Sequence, residues 1–257
     1  MHDSQVDNDK VNIAFLGSKT IGSFCLQKLI EHPRVNVVKV LTNDRTLSSD
    51  ELTVQQIAEQ HRIPAAESPN DIPECDFLIS VQYHKILKKH HINRAKKAAV
   101  NLHMAPLPEY RGCNQFSFAV YDGAKEFGTT LHLMDPQIDH GDILFEKRFK
   151  ITDNVWVKEL YNLTLDASKE LFFESLNSLL KEEYTPKPQK SLIEERGSSI
   201  HYRNEIEDLK KIDLNASENE IDRRIRATYF PPFEPPFALI KGKKVHLTPD
   251  FGSDREQ

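Results

Sequence analysis

Short solid apolar runs alternate along this chain with stretches whose apolar residues recur roughly every three to four positions. The first run, Val11 to Gly17 (VNIAFLG), ends on a turn residue and reads as a buried strand. Next, Ile21, Phe24, Cys25, Leu26, Leu29 and Ile30 recur at helical spacing. Ser18 or Thr20 is placed to cap that helix, and Pro33 follows its stop. Val35 to Leu41 is a second strand, Thr53 to Arg62 a helix, Asp76 to Val81 a third strand and Ala98 to Leu102 a fourth. This alternation predicts an α/β fold: a mainly parallel, Rossmann-like sheet with helices on both faces. Ligands of such sheets sit at the carboxyl ends of the strands. Val81-Gln82-Tyr83 and Asn101-Leu102-His103 fall at such ends.

Beyond Gly112 the pattern predicts a helix to about Tyr121, then alternating strands over Thr129 to Leu133 and Ile143 to Ile151. Val157 to Glu183 carries a long helical stripe through Leu160, Leu163, Leu171, Phe172, Leu176, Leu179 and Leu180. Tyr184 to Ser199, richer in Pro, Lys, Gln and Ser, reads as a linker. A smaller unit follows. Ser217 to Thr228 reads as a helix with a capping box, since Glu220 stands at the box position after Ser217. A Pro-aromatic loop runs from Tyr229 to Phe237, and a hairpin over Phe237 to Leu247 turns near Lys241-Gly242. The expected organisation is a flexible leader over 1–10, a main domain over 11–183, and a linker with a small helix/hairpin subdomain over 184–257.

Composition narrows the class. The chain has 257 residues, 39% hydrophobic and 28% charged, which suits a soluble globular protein. A net charge of −5 gives no sign of a broad nucleic-acid-binding surface. The 3 cysteines, Cys25, Cys75 and Cys113, form no C-x-x-C pair, so reduced thiols are expected rather than a zinc ribbon or disulfide framework. Met1 to Lys10 lacks the apolar core of a secretion signal, and no apolar run is long enough to span a membrane. A cytoplasmic location is expected.

Candidate chemistry comes last. Gly17-Ser-Lys-Thr-Ile-Gly22 follows a strand but lacks both the adjacent Gly-Lys of a phosphate loop and the dinucleotide fingerprint, so it reads as a strand-to-helix turn. His90-His91 lies in a Lys-rich stretch and reads as solvated surface. Neither H-E-x-x-H nor a Cys/His ligand spacing occurs, so no metal is expected. Cys113 reads as an ordinary thiol. Asn101 and His103 alternate around Leu102 on a strand, so their side chains share a face. Apolar Ala98 to Val100 and Met104 flank them, as in a buried strand whose tip opens into a cleft. Asp139, in Asp139-His140-Gly141-Asp142, could be a mere turn former. With the other two it completes what acyl transfer to an amine requires: a donor for the oxyanion, a proton carrier, and a group to orient the carrier.

Three strings carry a resemblance: Asn-x-His at 101–103, Leu-Pro-x-Tyr-Arg-Gly at 107–112, and Met-Asp-x-x-Ile-Asp-x-Gly-Asp-Ile-Leu at 134–144. Together they resemble the folate-dependent formyltransferase family, which includes the glycinamide ribonucleotide and methionyl-tRNA formyltransferases and the N-formyltransferases of amino sugars. The likeness runs from about Asn12 to Ile151. Ile221 to Ala227 with its Pro-aromatic loop is similar to the transfer-RNA and amino-sugar members. Arg111 to Ala119 and Phe127 to His132 most resemble the nucleotide-linked amino-sugar enzymes.

The resemblance implies Asn101, His103 and Asp139 as the catalytic residues and 10-formyltetrahydrofolate as co-substrate. Its pterin would lie near Gln82, Tyr83, His84, Ile86 and Leu87, with Pro136 and Ile138 opposite; Tyr83-His84 departs from many relatives. The implied acceptor is a nucleotide-linked amino-dideoxy sugar, a 4-amino-4,6-dideoxyhexose by likeness, for surface polysaccharide such as lipopolysaccharide O-antigen. Lys85, Met104, Arg111, Tyr202, Arg203, Tyr229 and Phe230 are its candidate contacts. Packing of the small unit is an equal reading of Tyr229 and Phe230. Methionyl-tRNA formylation and hydrolysis of the folate are the enzymatic alternatives, and a non-catalytic nucleotide-sugar module is a third. No nucleic acid or membrane partner is expected. The C-terminal unit could instead form a homodimer face.

Overall fold

A computed structural model describes residues 10–43 and 52–249. The expected leader, apart from Lys10, lies outside them. The first half contains β1 (Val11–Gly17), α1 (Lys19–Glu31), β2 (Val35–Leu41), α2 (Val54–Gln60), β3 (Ala65–Ala66), β4 (Cys75–Val81), α3 (Lys89–Ile92) and β5 (Ala95–His103). Then come β6 (Arg111–Gly112), α4 (Gln115–Asp122), β7 (Glu126–Leu133), β8 (Ile143–Lys150) and α5 (Val157–Leu180). The remainder is α6 (Ile193–Arg196), β9 (Ile200–His201), α7 (Ile206–Lys210), α8 (Glu218–Thr228) and the hairpin β10 (Phe237–Ile240) and β11 (Lys243–His246).

The main sheet has 7 strands in the order β3-β2-β1-β4-β5-β7-β8. From β3 to β5 the neighbours are parallel; β7 and β8 are antiparallel additions. The fold is therefore the mainly parallel α/β sheet expected. β5 is the seam between the two directions, and its carboxyl end carries Asn101 and His103.

The solid apolar runs follow from coverage on both faces of the sheet. On β1, Ile13 and Phe15 turn to the larger core beneath α1, α2 and α5. Ala14 and Leu16 turn to the other face. There the cover is shorter, made by Ile72, Leu87 and Ile92 of the loops and α3. Burying a ring such as Phe15 or Phe77, both fully enclosed, contributes about 1.5–3 kcal/mol each.

Two caps differ from expectation. Ser18 occupies the N-cap of α1, but its hydroxyl makes no cap bond and donates instead to the Gln82 carbonyl at 2.5 Å. That bond ties the ends of β1 and β4 together, where the loop from Gln82 to Leu87 begins. At α8, Ser217 Oγ accepts the Glu220 N–H at 3.3 Å, yet the reciprocal half of the capping box is missing. The Glu220 carboxylate accepts from Arg224 at 2.6 Å and from Tyr121 of α4 at 3.0 Å, because a guanidinium offers a stronger, charge-assisted bond than a backbone N–H.

Residues after α5 return to the main domain. Lys187 exchanges backbone hydrogen bonds with Ile143 at 2.9 and 2.8 Å. β9 pairs in parallel with β6. Leu209 and Ala227 share a core with Ala119, Val120, Phe127 and Leu160. The hairpin turns between Ile240 and Lys243 as the sequence predicts. No helix among the described residues is long and apolar enough to cross a membrane.

Candidate active site

The site is built from the end of β5, the start of the loop after it, and the turn joining β7 to β8. Pairing with β7 sets Asn101 opposite His132 and His103 opposite Thr130. Hydroxyls of β7 lock the strand end: Thr129 Oγ1 donates to the His103 carbonyl at 3.0 Å, and Thr130 Oγ1 to the Ala105 carbonyl at 2.9 Å. The β7–β8 register shifts between Leu131 and His132. Such an irregularity re-aims side chains beside it.

The turn that carries Asp139 closes tightly. Leu133 N–H donates to Asp142 O at 2.9 Å, and His140 and Asp135 side chains meet at 2.6 Å. Gly141 lies so close to Leu133 that a Cβ there would stand 1.9 Å from its carbonyl oxygen, so only glycine fits. Asp139 adopts a positive φ of 46°, which a non-glycine residue rarely takes. The conformation turns its carboxylate inward.

There Asp139 meets Asn101 and His103. Asp139 Oδ2 accepts the Gly112 N–H at 2.9 Å and lies 3.6 Å from His103 Nδ1. Its Oδ1 lies 3.4 Å from Asn101 Nδ2 and 3.5 Å from His132 Nε2. His103 Nε2 donates to the Tyr110 carbonyl at 2.7 Å. A carbonyl only accepts, so Nε2 carries a proton and Nδ1 is the nitrogen left for proton exchange. His132 Nδ1 likewise donates to Leu133 O at 2.8 Å, leaving Nε2 to meet the Asn101 amide at 3.2 Å. One Asn101 amide hydrogen is committed to His132. The second reaches Asp139 only at the long distance of 3.4 Å and is the one an incoming oxyanion could claim.

Burial by itself pushes the Asp139 carboxyl up. His103, His132 and the Gly112 N–H outweigh it and hold the carboxyl well below the usual carboxylate range. An ionised carboxylate, a buried imidazole and a directed amide thus share one crevice. Such an arrangement can accept a proton at Nδ1, stabilise the resulting imidazolium and donate to a developing oxyanion.

The residues expected around the cofactor divide. Gln82 has a φ of 54° and directs its side-chain oxygen to Lys19 Nζ at 3.2 Å. The Tyr83 hydroxyl donates to Glu67 O at 3.2 Å; burial, then Asp71 and Glu67, push its pKa up to about 12. Its ring meets the edge of His84 with centroids 5.0 Å apart. Ile86 is 72% exposed, Pro136 is exposed and Ile138 half-buried. Leu87 turns the other way, into the core with Leu16, Ile72 and Leu78, because that sheet face has little helical cover.

The expected acceptor contacts divide more sharply. Lys85 Nζ donates to Glu67 O at 2.7 Å. Burial lowers the His84 pKa, and the positive charges of Lys85 and Arg203 lower it further, so two cationic side chains gather around a ring driven toward its neutral form. Tyr202 is 53% exposed beside Arg203, and Asn114 donates to both of their carbonyls. Four of these residues have other partners in the fold. Met104 is buried in the main core. Arg111 directs its guanidinium to Ser198 Oγ at 2.8 Å and Ser199 O at 3.4 Å, because the returning segment presents acceptors to it. Tyr229 and Phe230 pack on Trp156 and Tyr161, with ring centroids 6.3 and 5.4 Å apart. Tyr161, Phe116 and Phe127 stand between Phe230 and Tyr110, so aromatic packing takes precedence over a place at the triad.

Sequence reasoning missed His132, the Tyr110 carbonyl and the Gly112 N–H. Only His132 left a signal: a histidine on an alternating strand just before the Asp139 turn, whose partner emerges from register. The other two are backbone groups. Among the described residues, no cluster of His, Cys, Asp and Glu could hold a metal ion.

The sequence profile of a family described as formyl transferase matches residues 11–176. Methionyl-tRNA formyltransferase of Clostridium tetani is 34% identical over 144 residues, covering 53% of this chain and 46% of that protein. GDP-perosamine N-formyltransferase of Brucella melitensis is 33% identical over 172 residues, covering 67% of this chain and 64% of that one. The N-formyltransferase from Helicobacter canadensis, solved in complex with folinic acid and dTDP-3-aminofucose, superposes with a TM-score of 0.75 at 22% identity, over 91% of this chain and 86% of that one. The chain spans about half the length of the curated relatives it matches.

Proposed function

This chain belongs to the formyl transferase family, and we propose that it moves a formyl group from 10-formyltetrahydrofolate to the amino group of a nucleotide-linked amino-dideoxy sugar, in the cytoplasm. The observation that carries the reading is the convergence of Asn101, His103 and an ionised Asp139 at the end of β5. Sugar acceptors are favoured by the Brucella relative and by the folinic acid and aminosugar nucleotide bound in the Helicobacter structure.

The residues suit the co-substrate. The loop after β4 exposes Ile86 and His84 beside the half-buried Tyr83 ring, and the turn after β7 presents Pro136 and Ile138. An apolar, aromatic surface of this kind suits a flat heterocycle. When bound, the folate supplies the formyl group. The chain does the rest. Asn101 directs its second amide hydrogen to where the formyl oxygen gains negative charge. His103 Nδ1 takes the proton of the attacking amine and returns it toward the departing nitrogen. Asp139 stabilises the imidazolium between those transfers. Tyr110 O and Gly112 N–H keep the ring and carboxylate from turning away. Lys85 and Arg203 offer positive charge to a diphosphate at the mouth, beside His84. A 4-amino-4,6-dideoxyhexose is the proposed sugar, for surface polysaccharide synthesis.

The test is a panel of nucleotide-linked 3-amino and 4-amino sugars with 10-formyltetrahydrofolate, read by mass gain of one formyl group. Transfer to at least one sugar is expected; formate release without transfer would sink the reading. Formylation of methionyl-tRNA is the second reading, favoured by the Clostridium relative and by exposed Lys241, Lys243 and Lys244 on the hairpin. Its mark would be binding of charged transfer RNA that weakens steeply with salt. The exposed apolar residues Phe233, Leu239, Ile240 and Val245 are proposed as a homodimer face, to be checked by sedimentation.

A further inference from the structure

Gln189 lies between α5 and β9, in the segment that returns to the main domain. Its side chain is buried. Nε2 donates to two backbone carbonyls, Asp139 O and Gly141 O, at 2.8 Å each. Both partners can only accept, so the nitrogen end of the amide must face them. Its Oε1 is left buried, with no hydrogen-bond partner among the described residues. An unsatisfied buried amide oxygen is unfavourable and uncommon. A fold tolerates one where the other half of the group is needed.

What the other half holds is the turn of the catalytic carboxylate. Asp139 sits in left-handed backbone, and Gly141 is pressed against Leu133. In that turn the carbonyls of Asp139 and Gly141 converge on one nitrogen. Converging carbonyl dipoles repel unless a donor stands between them. Gln189 is that donor, brought into register by the Lys187–Ile143 pairing immediately before it.

We propose that Gln189 is a positioning residue for the reaction: by bridging the two carbonyls it fixes the Asp139 turn, and so sets the carboxylate against His103. It touches no reacting atom. The kinetic part of its test rests on the formyl-transfer reading; the spectroscopic part does not.

Q189M keeps the chain length and removes both donated bonds. In the full chain, its kcat for formyl transfer is expected to fall about 10- to 100-fold, since a small misplacement of a reacting group has effects of that order. KM for both substrates should stay within about threefold, because neither is contacted. Adding Q189M to Asp139→Asn should cost little more than Asp139→Asn alone, as for residues acting through one another. Wild-type turnover in Q189M, or losses that multiply in full, would overturn the proposal. If the chain transfers no formyl group at all, the functional reading fails and positioning is judged separately. Carbon-13 NMR of the Asp139 carboxyl should then show protonation at higher pH in Q189M, as the turn relaxes away from His103, His132 and the Gly112 N–H. An unmoved titration rejects it. If Q189M does not fold, Q189E serves. Its carboxylate can donate to neither carbonyl and its acid form to one, so activity relative to wild type should rise as pH falls. Parallel pH profiles would count against the proposal.

Discussion

The inner crevice and the outer face of this site are built on opposite terms. Inside, Asp139 is held by a backbone N–H, near an amide and two imidazoles, and His103 has each ring nitrogen assigned. Outside, Lys85 rests on a loop carbonyl, while Tyr202 and Arg203 stand in solvent. The difference follows from what each region must do. Developing charge is stabilised only by groups already in place, because reorganisation would consume the gain. The diphosphate of the proposed acceptor needs positive potential at the mouth, which flexible side chains supply without fixed geometry.

Substitutions should divide along the same line. The largest losses belong inside. Asn101→Ala should lose about 10²–10³ in turnover, the usual effect of removing an oxyanion donor, and His103→Ala about 10²–10⁴ as a lost acid–base group. Near-normal single-turnover rates in either would erase the distinction. Next comes Gly141→Ala. A methyl group 1.9 Å from Leu133 O forces the turn to shift. Stability should fall by about 1–3 kcal/mol in denaturant unfolding, as for other overpacked sites, with turnover falling beside it.

The acid side of the stability curve sharpens the comparison. The folded state holds the Asp139 carboxyl below its ordinary value of 3.8. Its contribution is therefore complete above that pH and lost as pH falls toward the lower folded value. Asp139→Asn should be less stable than wild type near neutral pH, and the two should converge below about pH 4. Curves that stay parallel would mean the carboxylate is not held by its neighbours.

Outside, Lys85→Ala or Arg203→Ala should raise KM for the nucleotide sugar only about two- to fivefold, the scale of an exposed charge contact, with kcat nearly unchanged and the effect fading in salt. A large drop in kcat from either would move that residue inside. Tyr229→Ala should have the smallest catalytic effect. It should cost about 1 kcal/mol of stability through the lost Trp156 contact, with KM unchanged.

Much of this was legible in the chain. The strands of the parallel half were readable because coverage on both faces leaves solid apolar runs, as in VNIAFLG. Asn101 and His103 were readable because strand alternation puts them on one face at a strand tip. Arg111, Met104 and Tyr229 show what reading by residue type leaves open. A guanidinium, a thioether and an aromatic ring suit a ligand or a core equally well, and here neighbours distant in sequence claimed them: Ser198, the α5 core and Trp156. Ser18 is the same lesson at a helix end, its hydroxyl drawn to Gln82 across the strand tips.

The chain alone determined the order of its longer elements, the sheet face of Asn101 and His103, and the glycine next to the Asp139 turn, since periodicity and backbone freedom are local properties. Only the folded molecule decided which nitrogen of His103 is free, that His132 orients the amide, and that a glutamine 50 residues away clasps the Asp139 turn. Those outcomes depend on backbone carbonyls and N–H groups. Every residue carries them, so their identity says nothing until tertiary packing decides which ones face each other.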